Sequence, residues 1–410
     1  MHRILLTTVL YSVLTVQALA NEPLKGFAYA SAPAPNGNEW ESSEQLALNK
    51  EQPHAYFFSF SNLESARKVL PENSKYWKSL NGDWKFHWAP APEMRPKEFY
   101  HPEFDVSSWD MISVPSNWNV YGIQKDGSQK YGTPVYVNQS VIFVQHVEIG
   151  DWKNGVMRTP PTHWTTYKHR NEVGSYRREF DISEDWKERE VFINFDGVDS
   201  FFYLWINGHY IGFSKNSRNT ASFNITPYLR KGKNVVAAEV YRNSDGSFLE
   251  AQDMFRLPGV FRTVSLHAVP KVHIRDLVAI PDLDENFSDG SLTIKAEIRN
   301  LDKKLAKDYK VYYSLYANKL YSDENTLVGN LLSTVVKEVV PGESADVQTV
   351  FQVKAPRKWS AEFPYCYTLV AELKDKKNRT VETVSTIVGF RKVEIRDTPA
   401  SEDEFGLAGR

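Results

Sequence analysis

The run VFINFDGVDSFFYLWINGHYIGFSKNSRNTASFNITPYLRKGKNVVAAEVYRNSDGSFLEAQDMFRLPGVFR, Val191 to Arg262, decides the fold. Short apolar runs of strand length alternate in it with turns. Asn207-Gly208 stands between FFYLWI and HYIGFS. An Asn-Gly pair in such a place signals a hairpin, because both residues accept the positive φ of the tight turn. ASFNITPYL and KGKNVVAAEVYR keep the rhythm, as SYRREFDI does just upstream. Strands recurring every 8–12 residues or so point to an antiparallel sandwich. The run closes on acidic and aromatic residues, Glu250 to Phe255, a composition suited to a polyol-binding edge.

Working outward, LNGDWKFHW (Leu80 to Trp88) and FDVSSWDMISVPSNW (Phe104 to Trp118) add strands before it. Gln124 to His169 is irregular, rich in Gly and Pro, and carries Trp152, Trp164 and several Tyr. Such a loop reads as an ordered aromatic wall. The first domain is placed at 55–268. Pro270 marks a boundary. VHIRDLVAIPDL, SLTIKAEIRN, YKVYYSLYA, STVVKEVV, DVQTVFQV and CYTLVAELKD follow, and VGFRKVEI closes the set. That is the pattern of an immunoglobulin-like sandwich without its disulfide, placed at 269–395. The expected fold class is all-β.

The chain ends bear different signals. Met1-His2-Arg3, an apolar stretch from Ile4 to Val16 and Ala18-Leu19-Ala20 read as a secretory signal peptide, residues 1–20, which predicts a periplasmic or extracellular protein. Residues 21–54 read as a polar arm and 396–410 as an acidic, mobile tail. No other segment approaches the ~20 apolar residues of a membrane span.

The bulk numbers bound the function. The chain has 410 residues, 41% hydrophobic and 24% charged, and a formal net charge of -2. That balance gives no field for nucleic acid or an anionic membrane. Aromatics at 13% suit large β-cores and equally suit sugar sites. The one cysteine, Cys366, excludes an internal disulfide and reads as a small core residue in a strand.

Phosphate loop, dinucleotide turn, CxxC, HExxH and nucleophile elbow are all missing from the sequence. His163 and His169 lie in the irregular loop, weak evidence for a metal. The carboxylates Asp245, Glu250 and Asp253 cluster beside Phe248, Phe255 and Arg256. Glycoside cleavage needs two carboxyl groups at ~5–5.5 Å or ~6.5–9.5 Å. Glu250 and Asp253 would meet that spacing on a turn. A surface turn with a salt bridge to Arg256 or Arg262 is the plain alternative, and a sugar-hydroxyl or hard-cation site is a third. YGTPVYVN (Tyr131 to Asn138) reads either as a site strand ending in an amide or as a capped loop. WINGHYIGFSKNSR (Trp205 to Arg218) reads as a core hairpin.

LNGDWKFHWAPAP, VPSNW, YGTPVYVN, VGSYRREF, FDGVDSFFYLWINGHYIGFSKNSR, DGSFLEAQDMFRLPGVFR and VGFRKVEI resemble, in order from Trp77 to Ile395, the opening domains of glycoside hydrolase family 2 β-galactosidases. The resemblance implies a jelly-roll sugar-binding domain, then the immunoglobulin-like domain, then a (β/α)8 barrel bearing the acid/base and nucleophile glutamates. It assigns substrate-binding roles to Asn138, on the galactosyl group, and to Asp253, on a galactosyl hydroxyl and a sodium ion. Magnesium also belongs to the full-length family. Where the family reads EDQDM this chain reads EAQDM, with Ala251 in place of the first Asp and Asp253 kept.

After VGFRKVEI the resemblance stops, and Arg396 to Arg410 matches nothing in the family pattern. The expectation is therefore the N-terminal portion of a β-galactosidase-type enzyme, inactive without its barrel, with no catalytic residue of its own. A free-standing carbohydrate-binding module, and one subunit of a split enzyme completed by a separately encoded barrel, are the alternatives. The partner expected in each case is a galactoside or other carbohydrate.

Overall fold

The structure, a computed structural model, describes residues 32, 34–132, 134–137, 152–153, 156–157, 171–250, 253–318 and 326–395. The signal-peptide reading, the start of the arm, most of the aromatic loop with His163 and His169, Asn138, Ala251 and the tail lie outside these residues.

Two β-sandwiches follow each other. In the first, a seven-stranded antiparallel sheet runs Ala47–Leu48, His209–Ser214, Phe201–Ile206, Lys233–Tyr241, Val173–Asp181, Gly82–Ala89, Asp110–Val114. It faces a four-stranded sheet of Ala221–Asn224, Arg189–Phe195, Val264–Pro270 and Trp77–Ser79. Between them lies a core that includes Trp84, Phe86, Trp118, Tyr176 and Phe195, each less than 2% exposed. This is the jelly-roll. The hairpin forms as its sequence requires: Asn207 has φ 51° and Gly208 φ 85°. The Asn207 amide then donates to Tyr228 O and Asn234 Oδ1, both at 2.8 Å.

The strand Phe201–Ile206 departs from a half-exposed pattern, because all its residues are buried. Its second face packs into a separate aromatic cluster of Trp40, Phe99, Tyr203, Trp205 and Tyr241. The N-terminal arm supplies part of that cover, and Trp40 stacks on Tyr241 at 5.6 Å. The arm then adds Ala47–Leu48 to the sheet edge beside His209–Ser214. Gly212 makes this approach feasible. A Cβ there would sit 2.1 Å from the Leu48 carbonyl oxygen.

The second sandwich pairs Val272–Leu283, Gly290–Asn300 and Ser344–Val353 in one sheet. The other holds Ser59–Phe60, Thr380–Val388, Cys366–Lys374, Ala306–Asn318 and Thr326–Val339. Its core centres on Leu292, Ile294, Val311, Tyr313, Leu369 and Val384. Cys366 is buried in its strand, 8% exposed. Ser59 and Phe60, which follow the arm, pair with Val384 and Thr383 of this second domain. Phe58, Phe60 and Ala66 pack there against Tyr316 and Val370. The arm and the residues after it thus form a strap across both sandwiches, with Trp40 covered by the first and Phe60 by the second. Among the described residues no helix is long and apolar enough to cross a membrane.

Gly212→Ala should displace the arm strand from the sheet edge. The expected cost is about 1–3 kcal/mol in urea unfolding, together with new proteolytic cleavage between residues 42 and 52. Unchanged stability and cleavage would refute the close approach.

Candidate functional site

At one end of the jelly-roll several connections form a rim. Val198–Asp199 pairs with Gly259–Val260, so that Asp199 lies opposite Gly259. Gly259 has φ 127°, and a Cβ on it would meet Ser116 O at 2.8 Å. Beside this ribbon, Met254–Arg256 pairs with Val135–Val137 in the register Met254 to Val137. Asp253 immediately precedes the first of these strands and is exposed. Asn138 is the next residue in sequence after Val137 and lies outside the described residues.

The three acids grouped in sequence take three separate posts. Asp245 is buried in an ion pair with Lys215 at 2.8 Å. Its backbone N–H donates to Trp40 O at 3.0 Å, which ties the rim to the arm. Glu250 ends the short helix Ser247–Glu250. Its carboxylate accepts from the Ser217 N–H at 2.6 Å and from the Ser217 hydroxyl. Asp253 alone of the three is exposed at the rim. A catalytic pair of Glu250 and Asp253 thus loses one partner to a structural post. The alternative of a turn salt-bridged to Arg256 stays open for Asp253, whose charge acts on Arg256.

The helix that carries Glu250 is itself anchored. Ser200 Oγ donates to Ser244 Oγ at 2.7 Å, and Ser247 Oγ to Ser200 Oγ at 3.2 Å. Tyr131, at the head of YGTPVYVN, is a core residue, 5% exposed. It meets Phe86 edge-on at 5.1 Å, and its hydroxyl donates to Asp110 Oδ2 at 2.8 Å. Gly132 has φ 71°, and a Cβ there would press on the Glu172 carboxylate at 2.5 Å. Glu172 in turn forms a buried ion pair with Arg242 at 2.7 Å. The motif therefore seats the strand Val135–Val137 by one buried ring and one glycine.

Sequence reasoning missed Asp199. Its carboxylate lies 3.5 Å from the Arg218 guanidinium, with the side chain 18% exposed. Burial pushes its pKa up to about 7, opposed by Arg218 and assisted by Glu250. The DGVDS stretch gave no sign of this, because the burial arises from segments far apart in sequence. Asn119, 0% exposed, donates its amide to Arg256 O at 3.4 Å, and its Oδ1 has no hydrogen-bond partner among the described residues. Phe255 and Leu249 are 58% and 81% exposed beside Asp253.

A hard divalent cation such as calcium takes about six or more oxygen ligands. Among the described residues no three His, Cys, Asp or Glu side chains converge as a metal site would require.

Residues 77–270 match "Glycosyl hydrolases family 2, sugar binding domain". Residues 272–391 match "Glycosyl hydrolases family 2". A β-galactosidase of Priestia megaterium is 39% identical over 375 residues, which are 91% of this chain and 34% of the relative. A protein of Leuconostoc lactis named "Beta-galactosidase large subunit" is 32% identical over 335 residues, 79% of this chain and 48% of the relative. A solved Bacteroides uniformis β-glucuronidase shares the fold with TM-score 0.58 and 21% identity, over 77% of this chain and 32% of that one. This chain thus spans between about a third and a half of the length of these relatives.

Asp199 yields a pH prediction. The folded chain keeps this proton up to about pH 7, whereas an unfolded aspartate releases it near pH 3.9. Between those values the native state binds more protons, so stability falls as pH rises and levels off above about 7. Asp199→Asn should flatten part of that fall in denaturant titrations. An equal slope in variant and wild type would count against it.

The matched domains, in the order and lengths seen here, place the chain in glycosyl hydrolases family 2, as the counterpart of the N-terminal domains of its β-galactosidases.

Proposed function

We propose that this chain forms the sugar-facing wall of an enzyme that hydrolyses terminal β-galactosides, whose barrel with its catalytic glutamates lies outside this sequence. The carrying observation is the division of labour at the rim. Asp245 is paired with Lys215 and Glu250 with Ser217, and Asp253 stands exposed just before the strand Met254–Arg256, which pairs with Val135–Val137. The likeness to β-galactosidases over most of the chain supports the substrate class. Asp253 would accept from a galactosyl hydroxyl, and Asn138 would offer an amide to the same sugar. If a sodium ion takes part, Asp253 would give it one oxygen and other donors would complete its shell.

A pocket with one wall encloses little of a ligand, and enclosure provides most of a small ligand's affinity. The partner that completes it is a barrel, on the same polypeptide or a separate one; the Leuconostoc relative is named as the large subunit of its enzyme. The signal-peptide-like start supports a periplasmic or extracellular location for the mature protein.

The purified chain should not turn over a chromogenic β-galactoside, and it should bind galactose more weakly than ~1 mM by calorimetry. Mixing with a family 2 barrel fragment should restore turnover, and Asp253→Ala should reduce it about 100-fold or more. Turnover by the chain alone, lost in Glu250→Gln or Asp253→Asn, would overturn the proposal. Clear polysaccharide hits on a glycan array would instead identify a binding module.

A further inference from the structure

The contact between the two sandwiches converges on one carboxyl group. Glu382 lies in Thr380–Val388 of the second sandwich and is 2% exposed. It accepts from the Ser59 hydroxyl of the strap at 2.8 Å, and from the Ile274 N–H of the strand joining the domains at 2.7 Å. Ser59 Oγ also receives Arg189 Nη2 of the jelly-roll at 3.2 Å. Strap, connecting strand and both sandwiches thus meet at this acid. A cavity of about 30 Å³ adjoins it, enough for a water molecule.

We propose that this joint is a proton-operated latch, in which Glu382 holds the two sandwiches in register as a neutral acid and loosens them when it ionises. The surroundings carry the argument. Arg189 reaches the joint through Ser59, and its guanidinium also lies over the Tyr76 ring at 3.5 Å. From the connecting strand, Arg275 is paired with Glu297 at 3.1 Å and bonded to Gln52 O of the strap. Arg299 is paired with Glu51 of the strap at 2.7 Å. Asp276 accepts from the Ala55 N–H at 2.8 Å. The cations beyond Arg189 therefore have their own counter-charges.

The imidazoles do not compensate either. His267, stacked on Phe192 at 5.5 Å, and His273 are both pushed down to about 3 by burial, and burial lowers His54 as well. His267 and His273 stay neutral across the range that matters. Burial holds Glu382 up at about 7, against the pull of the Ile274 N–H, Ser59 and Arg189. A freed Glu382 would ionise near its ordinary ~4.3. The joined state thus binds more protons between those values, so the joint is firmest in acid and weakens as pH rises through about 7. Above that no further loss follows from this group.

The test is hydrogen exchange on the full chain, corrected for intrinsic rates, with calorimetry alongside. Between about pH 5.5 and 8.5, protection of the peptides around 59–60 and 272–276 should drop by about tenfold or more, one pKa unit of linkage being a factor of ten. Glu382→Gln should keep protection flat, and Asp199→Asn should leave the drop intact. Ser59→Ala removes a donor to the carboxylate, so the drop should move to higher pH; this variant decides the matter should Glu382→Gln fail to fold. A flat wild-type profile, a Glu382→Gln profile that falls like wild type, or an unmoved midpoint in Ser59→Ala would each overturn the latch. None of these readouts depends on sugar binding or turnover.

Discussion

Closure of the outer face of the seven-stranded sheet by the N-terminal strap is the constraint from which the rest follows. A sheet whose central strand is apolar on both sides needs two covers. The four-stranded sheet provides one, and Trp40, with the aromatics around Phe99, provides the other. The same strap then fixes the rim, because Trp40 O holds the backbone of Asp245 and Ser42 O receives Lys215. Burial of an aromatic ring and the geometry of the candidate site are therefore one event.

The strap also explains why the two sandwiches are coupled. The ion pair Glu51–Arg299, the Arg275 bond to Gln52 O and the strand pairing at Ser59–Phe60 run from the strap to the second domain. Buried charges of this kind contribute little net stability when compared with apolar packing, yet losing one partner is costly. Their effect here is to specify one arrangement. Glu382, held by the Ser59 hydroxyl and the Ile274 N–H, is the acid at this joint without a salt bridge among the described residues.

Much of the architecture was legible. Asn207-Gly208, the regular strand rhythm and the break at Pro270 are local signals, read from backbone preference and alternation. The core role of WINGHYIGFSKNSR was also readable, since Trp205, Ile211 and Phe213 are all buried. The site was less so. Asp245, Glu250 and Asp253 look alike in a row of letters, and their separation into a buried ion pair, a serine-held brace and an exposed acid depends on Lys215 and Ser217, which lie on a different strand connection. Tyr131, in a segment read as a site strand or a capped loop, is pinned by Phe86 and Asp110.

By itself the sequence determined two antiparallel sandwiches, their order, and a family whose opening domains they are, because turn chemistry and side-chain alternation act between near neighbours in the chain. Tertiary structure alone decided which carboxylates are spent on bracing, why Asp199 and Glu382 hold their protons, and how an arm that reads as polar becomes a strap between domains. Desolvation and charge pairing depend on what lies across a few ångströms of space, and those neighbours come from segments that are distant in the chain.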